Sequence, residues 1–242
     1  MSTLSGKSVL VTGANRGIGK ALVDELLARG VARVHAGTRQ PLVHSDERVV
    51  PLTLDVTDAA QVRAAAETVE SLDLLVNNAG VALLGDDLSD VAQLERHFAV
   101  NVFGAFAVTQ TVLPALLDSR GAILNMLSTS SWANMPLLPG YSVSKAAAFS
   151  LTQGLRAHLA HRGVRVHAAI IGVVDTDMTK VFEVPKASPA AVAGAILDGL
   201  ERGEDEIFPD AGSQMIADAW RGSAFKAMEL EYAALLAGSP QE

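Results

Sequence analysis

Short apolar runs alternate along this chain with longer stretches in which apolar residues recur every three or four positions. The runs Ser8–Thr12, Val31–Gly37, Val49–Leu54, Leu72–Val76, Ala122–Leu127 and Val164–Ile170 have the length of buried strands. The stretches Gly17–Arg29, Asp58–Glu70, Ser89–Val100, Phe103–Asp118, Ser142–Arg162 and Pro189–Glu201 predict helices, the first stopped by Gly30. Glu206–Phe208 predicts a last edge strand, and Ser213–Leu236 reads as mostly helical. The polar segment Arg39–Glu47 reads as a loop, and Ala237–Glu242 as a disordered end. Strand and helix alternating this regularly imply right-handed crossovers and a parallel, doubly wound sheet of about seven strands with helices on both faces. Such sheets bind ligands at the carboxyl ends of their strands, where the strand order reverses.

Composition narrows the partners. The 242 residues suit one α/β domain, and 49% hydrophobic against 19% charged residues means a packed core. A net charge of −8 disfavours nucleic acid and anionic lipid, leaving a small molecule as the expected partner. The absence of cysteine removes disulfides, thiol nucleophiles and cysteine metal sites. The six histidines show no metal-ligand spacing, so no metal is expected. Met1–Lys7 is polar with no apolar core behind it, and no apolar run reaches the ~18 residues of a membrane helix. A cytoplasmic location without membrane attachment is expected.

Two places carry chemistry. Thr12-Gly13-Ala14-Asn15-Arg16-Gly17-Ile18-Gly19 lies between a predicted strand and a predicted helix, the setting of a dinucleotide-binding turn. Glycine lets backbone approach a pyrophosphate, and the helix start offers free N–H groups and positive dipole. Gly13, Asn15, Arg16, Gly17, Ile18 and Gly19 are the candidate contacts. The second strand ends Ala36-Gly37-Thr38-Arg39 without the acid that would bind ribose hydroxyls. Arg16 and Arg39 suit a 2′-phosphate instead. At ~1.5–3 kcal/mol for each charged hydrogen bond, such a pair sets a preference of tenfold to several hundredfold. NADP(H) is therefore the expected cofactor. Asp55-Val56 follows the third strand, where Asp55 either accepts from the adenine amino group or caps the next helix. Asn78, Ala79 and Gly80 follow the fourth strand and form a candidate cofactor wall.

Tyr141 and Lys145 stand i to i+4 on one helix face. An ammonium beside a phenol lowers its pKa from ~10, and an oxidised nicotinamide lowers it further. Ser128 lies just beyond the fifth strand, where its hydroxyl would hold a substrate oxygen against the phenol. Ser130 and Ser131 compete with it on position alone.

These motifs, in this order, resemble those of the short-chain dehydrogenase/reductase family over nearly the whole chain. The family's glycine motif is Thr12–Gly19, its strand-four motif Asn77–Gly80, and its Y-x-x-x-K pair Tyr141 and Lys145. Its I-x-N-x-x-S stretch is matched by Ile123–Ser128, thirteen residues before the tyrosine, which selects Ser128. Asn101 in Asn101-Val102-Phe103-Gly104 matches the fourth catalytic residue. The resemblance implies a single Rossmann-type domain over 1–242, with cofactor binding mainly in 1–120 and catalysis and substrate in 121–242. It implies an oxidoreductase interconverting a ketone or aldehyde and an alcohol. Tyr141 would act as acid/base, Lys145 would lower its pKa and bind the nicotinamide ribose, and Asn101 would hold a relay water. It also implies a homodimer or homotetramer, through helices at Phe103–Leu117 and Ala146–Leu159. A nucleotide-binding regulator would sit on the same fold with a broken catalytic set, whereas this set is complete. An isomerase or dehydratase would retain its nucleotide.

The chain departs from the family pattern at Ile171, where a proline is usual before Gly172. Val174 and Thr176 are kept as cofactor contacts. The segment from Thr176 to Pro189 is short for a substrate lid, with Met178, Val181, Phe182 and Val184 as apolar candidates. Trp220, Phe225 and Met228 cover either the pocket or an oligomer interface.

Overall fold

Strands β1 (Ser8–Thr12), β2 (Arg33–Thr38), β3 (Val49–Thr53), β4 (Leu74–Asn77), β5 (Ala122–Ser128), β6 (Arg165–Ile171) and β7 (Glu206–Ile207) form one parallel sheet in the order β3-β2-β1-β4-β5-β6-β7. This computed structural model describes residues 3–85 and 88–237, so the expected disordered end lies, from Gly238 onward, outside the described residues. The chain runs outward from β1 to β3 and returns to β4 on the other side of β1. Their carboxyl ends therefore part at the middle of the sheet, which is the reversal that opens a crevice. Val9, Leu10, Val11, Leu75 and Val76 are fully buried, as central strands covered on both faces require.

Helices α1 (Gly17–Ala28) and α6 (Pro189–Glu201) cover one face, their Leu22, Leu26, Ile196 and Leu197 packing on β1, β2 and β6. Arg29 ties the two helices together, bonding Glu25, Asp198 and Glu201 at 2.9, 2.7 and 2.8 Å. The other face is covered by α2 (Ala59–Thr68), α4 (Ala105–Ser119) and α5 (Pro139–Ala160). Asp58 caps α2, accepting from the Ala60 and Gln61 amides.

Two helices expected at Ser89–Val100 and Phe103–Asp118 are one. Helix α3 (Val91–Phe98) runs through a π-helical stretch, Ala99–Gly104, directly into α4. Nothing in this stretch breaks a helix, and a Cβ on Gly104 would meet Val56 at 2.6 Å, so the close packing is absorbed by a change of pitch. Read as one element, Val91–Ser119 is long and apolar enough, by length and composition, to cross a membrane, which corrects the expectation of no such run. Its Val108, Val112 and Leu116 are spent on the sheet.

After β7, Asp210 caps α7 (Ala211–Arg221), and Gly222 separates it from α8 (Ala224–Ala237). Trp220 of α7 stacks on Trp132 at 4.5 Å beside Phe149 and Phe208. Trp220 therefore packs in an aromatic cluster.

Candidate active site

A cavity of about 1000 Å³ opens where β1 to β6 end. Every cofactor contact expected from sequence lines it: Gly13, Asn15, Arg16, Gly17, Ile18, Gly19, Arg39, Asp55, Val56, Asn78, Ala79, Gly80, Val174 and Thr176. Ser128, Tyr141 and Lys145 line its inner part. Asn101 does not; it lines a separate space of about 20 Å³ with Lys145, Asn77 and Asn125.

The glycine loop is shaped by contact rather than by flexibility. Gly13 and Gly17 have φ of 67° and 53°, conformations that side chains rarely adopt. A Cβ on Gly19 would stand 2.1 Å from the Gly13 carbonyl oxygen. Asn78 locks the loop from the neighbouring strand, its Nδ2 donating to the carbonyls of Thr12 and Gly13 at 2.9 and 3.0 Å. Thr12 Oγ1 accepts the amides of Asn78 and Ala79, both at 3.0 Å. At the start of α1, Arg16 occupies the cap position with no side-chain cap, and the first turn holds no acid. Its amides and dipole are thus directed at the cavity, which fits a dinucleotide pyrophosphate. Asp55 is not a helix cap. It accepts from the Thr57 amide and hydroxyl at 2.9 and 2.7 Å and so faces the cavity from a turn of its own.

Arg16 and Arg39 both reach the cavity, but Arg16 already has a partner. Its Nη1 lies 3.2 Å from Asp177 in the turn after β6, and Lys180 lies 2.5 Å from the same carboxylate. Both cations hold the Asp177 pKa down, Lys180 the more strongly.

In the inner part, Ser128 Oγ accepts the Ser130 amide at 3.1 Å and faces the Tyr141 phenol. Ser131 is a buried cap on the Ser128 amide and Ser130 only lines the wall, so Ser128 is the hydroxyl placed beside the phenol. Lys145 is buried, donates to the Met126 carbonyl at 2.8 Å, and has its ammonium 5.6 Å from the centre of the Tyr141 ring. Burial pushes the phenol up to about 12, against the downward pull of the Ser128 hydrogen bond. Burial also brings Lys145 down to about 8. The expected lowering of the phenol pKa is therefore not produced by these groups alone. Desolvation of the buried phenol outweighs the Ser128 hydrogen bond.

Asn101 is buried and committed. Its Oδ1 accepts the Val81 amide, and its Nδ2 donates to the Val81 carbonyl and to Ser144 Oγ, each at 2.9 Å. It fastens the strand-four turn to α5, directly behind Lys145. The loop that follows Ile171 is anchored by Asp210. The Gly172 amide donates to Asp210 Oδ2 at 2.8 Å, and a Cβ on Gly172 would strike Asp210 Oδ1 at 2.4 Å. Asp210 escaped the sequence reading because it lies 38 residues from its partner with no spacing to announce it. Of the lid candidates, Met178 and Phe182 line the cavity together with Met135 and Leu138, whereas Val181 and Val184 are exposed outside it.

The sequence profile of the short chain dehydrogenase family matches residues 7–186. This chain belongs to that family. The short-chain dehydrogenase of Burkholderia cenocepacia, solved in complex with NADP, is 36% identical over 96% of this chain and 98% of its own, with a TM-score of 0.87. An uncharacterized oxidoreductase of Staphylococcus aureus is 32% identical over 216 residues, covering 83% of this chain and 93% of its own. A 3-ketoacyl-(acyl-carrier-protein) reductase of Brucella melitensis complexed with NADH shares the fold, with a TM-score of 0.76 at 24% identity over 88% of this chain and 95% of its own. The present short-chain dehydrogenase is thus an oxidoreductase with a nicotinamide-nucleotide fold, acting on a small molecule.

Proposed function

We propose that this protein is an NADP(H)-dependent, cytoplasmic carbonyl reductase that interconverts an uncharged ketone or aldehyde and its alcohol. The observation that carries this reading is the meeting of Ser128, Tyr141 and Lys145 in the inner part of a cavity that also holds the glycine cradle. The preference for NADP(H) is supported by Arg39 and Arg16 in the cavity, with no acid at the end of β2. The substrate preference is supported by Met135, Leu138, Met178 and Phe182 in the wall. Asp177, the carboxylate on that side, is already held by Arg16 and Lys180.

When bound, the reduced nicotinamide supplies the hydride to the carbonyl carbon. The phenol, pushed up to about 12, keeps its proton at neutral pH and can release it to the carbonyl oxygen, which sets the resting protein for reduction. Ser128 donates a hydrogen bond to the same oxygen as charge develops on it. Lys145 meets the phenolate that remains with a positive charge and returns a proton to it. Asn101 acts as a positioning residue, and the space of about 20 Å³ beside it has room for about one relay water. A homodimer or homotetramer is the proposed assembly.

The experiment follows NADPH and NADH consumption against paired neutral ketones and keto acids of equal carbon number, with Tyr141→Phe as control. Turnover is expected to favour NADPH and the neutral partner, and to fall about 10²–10⁴-fold in the variant while NADPH binding persists. Turnover retained by Tyr141→Phe sinks the mechanism, and preference for keto acids sinks the substrate class.

A further inference from the structure

Both tryptophans of the chain, Trp132 and Trp220, stand in one stack, their planes only 16° from parallel. Neither indole Nε1 has a hydrogen-bond partner among the described residues, so stacking and packing alone hold the rings. The two rings come from opposite sides of the reaction centre. Trp132 closes the single turn Thr129–Ser131, its amide donating to the Thr129 carbonyl at 3.1 Å. Ser128 caps the same turn, accepting the Ser130 amide at 3.1 Å while its own amide donates to Ser131 Oγ at 3.4 Å. The segment from Ser128 to Trp132 is thus one closed unit, and a shift of the indole is a shift of the serine. Phe149, one helical turn beyond Lys145 on α5, meets both indoles edge-on at 5.6 and 5.4 Å. The stack therefore registers the serine loop against the helix that carries Tyr141.

Trp220 lies at the end of α7, and the other end of α7 is capped by Asp210, which holds the Gly172 amide at 2.8 Å. A helix of 11 residues is a stiff rod about 16 Å long. It joins the loop after β5 to the loop after β6, and both loops line the cavity. We propose that Trp220 is a positioning residue for the reaction: through Trp132 it sets Ser128 Oγ against the Tyr141 phenol, and α7 braces the serine loop against the Gly172 loop. This rests on the role proposed above for Ser128. An aliphatic side chain at position 220 keeps the site apolar but offers no flat face to fix the tilt of Trp132, whereas a phenyl ring does.

Ser128→Ala, Trp220→Leu and the double variant form a cycle, followed by NADPH consumption with the best neutral ketone of the panel above. Trp220→Leu is expected to lower kcat about tenfold with the KM for NADPH held within about twofold, and Trp220→Phe to recover kcat to within about threefold of wild type. In the Ser128→Ala background the leucine substitution is expected to change kcat by less than about twofold, because the hydroxyl it positions is gone. An unchanged kcat in Trp220→Leu, or a loss that persists in full without Ser128, overturns the inference. A second reading needs no substrate, since the chain has no cysteine of its own. Ser128→Cys carries a single thiol, and its alkylation by iodoacetamide is expected to quicken at least about fivefold when Trp220→Leu is added and to return with Trp220→Phe. Trp220→Met, an adaptable apolar side chain, takes the place of leucine in both readings if the leucine variant does not fold. Wild-type turnover in Ser128→Ala fells the proposed mechanism and this inference together. Low turnover in Ser128→Ala with an unchanged alkylation rate fells this inference alone.

Discussion

The wall of the cavity built from β1, the glycine loop and the turn after β4 is locked by hydrogen bonds between side chain and backbone, whereas the wall from Gly172 to Phe182 is fixed at its root and loose at its tip. On the first wall, Asn78 and Thr12 satisfy four backbone groups across two strands, and Gly19 sits against the Gly13 carbonyl with no room for a methyl group. On the second, Asp210 holds Gly172 from a buried position and Val174 bridges to Ala187, but farther out Asp177 meets Arg16 and Lys180 only as ion pairs between exposed side chains. The division matches the work proposed for each side. A pyrophosphate is the same in every turnover and rewards a rigid cradle, while a substrate must enter past the other wall.

Substitutions on the two walls put that contrast to the test. Gly19→Ala forces its Cβ onto the Gly13 carbonyl at 2.1 Å, so the loop must move. A fluorescence titration is expected to show NADPH affinity falling by more than about 100-fold, and a loss under tenfold would mean the first wall yields as readily as the second. Lys145, between the walls, gives a pH signature. Its pKa is about 8 in the folded protein against 10.5 unfolded, so the unfolded chain binds more protons between those values. Stability of the cofactor-free protein is expected to rise with pH across that window, by up to about 3 kcal/mol. Tyr141, raised to about 12, acts oppositely above pH 10, where the unfolded chain loses its proton first. Denaturant melts of wild type and Lys145→Met compared from pH 8 to 10 check this, since the rise should vanish in the variant. Asp210→Ala leaves the Gly172 amide unpaired and is expected to cost about 1–3 kcal/mol, with a raised KM for NADPH. An unchanged KM would make Asp210 a helix cap and nothing more. At the loose tip, Asp177→Asn frees Arg16, and isothermal titration is expected to show NADPH affinity changing by less than about fivefold. A larger change would mean that the tip is part of the cradle.

Much of this was open to reading from residue order. Apolar runs of strand length located all seven strands to within two residues, since buried parallel strands leave little else they can be. The residues proposed for catalysis could be singled out in sequence because part of the pattern is local spacing, as with Tyr141 and Lys145 one helical turn apart. What escaped depends on contacts between distant segments. The Asp210 bond to Gly172 and the Arg16 pair with Asp177 span 38 and 161 residues, and no periodicity records them. The direction of the Tyr141 shift depends on how deeply the phenol is enclosed, which is a property of the folded cavity. The fusion of α3 and α4 was hidden because a change of helical pitch has no residue signature of its own, so the periodic stretches on either side of Asn101 read as two helices.

That stretch makes the long helix a shaft with a change of phase in it. Residues before Ala99 and after Gly104 are rotated relative to one another compared with a regular α-helix, so Asn101 reaches Val81 and Ser144 while Val108 and Val112 still point at the sheet. Deleting one residue within 102–104 would restore ordinary pitch and leave the helix on either side in phase, but it would remove the widened turn that carries Asn101 to Val81 and Ser144. The strand-four turn would lose its fastening behind Lys145, although every side chain that lines the cavity would still be present in the sequence.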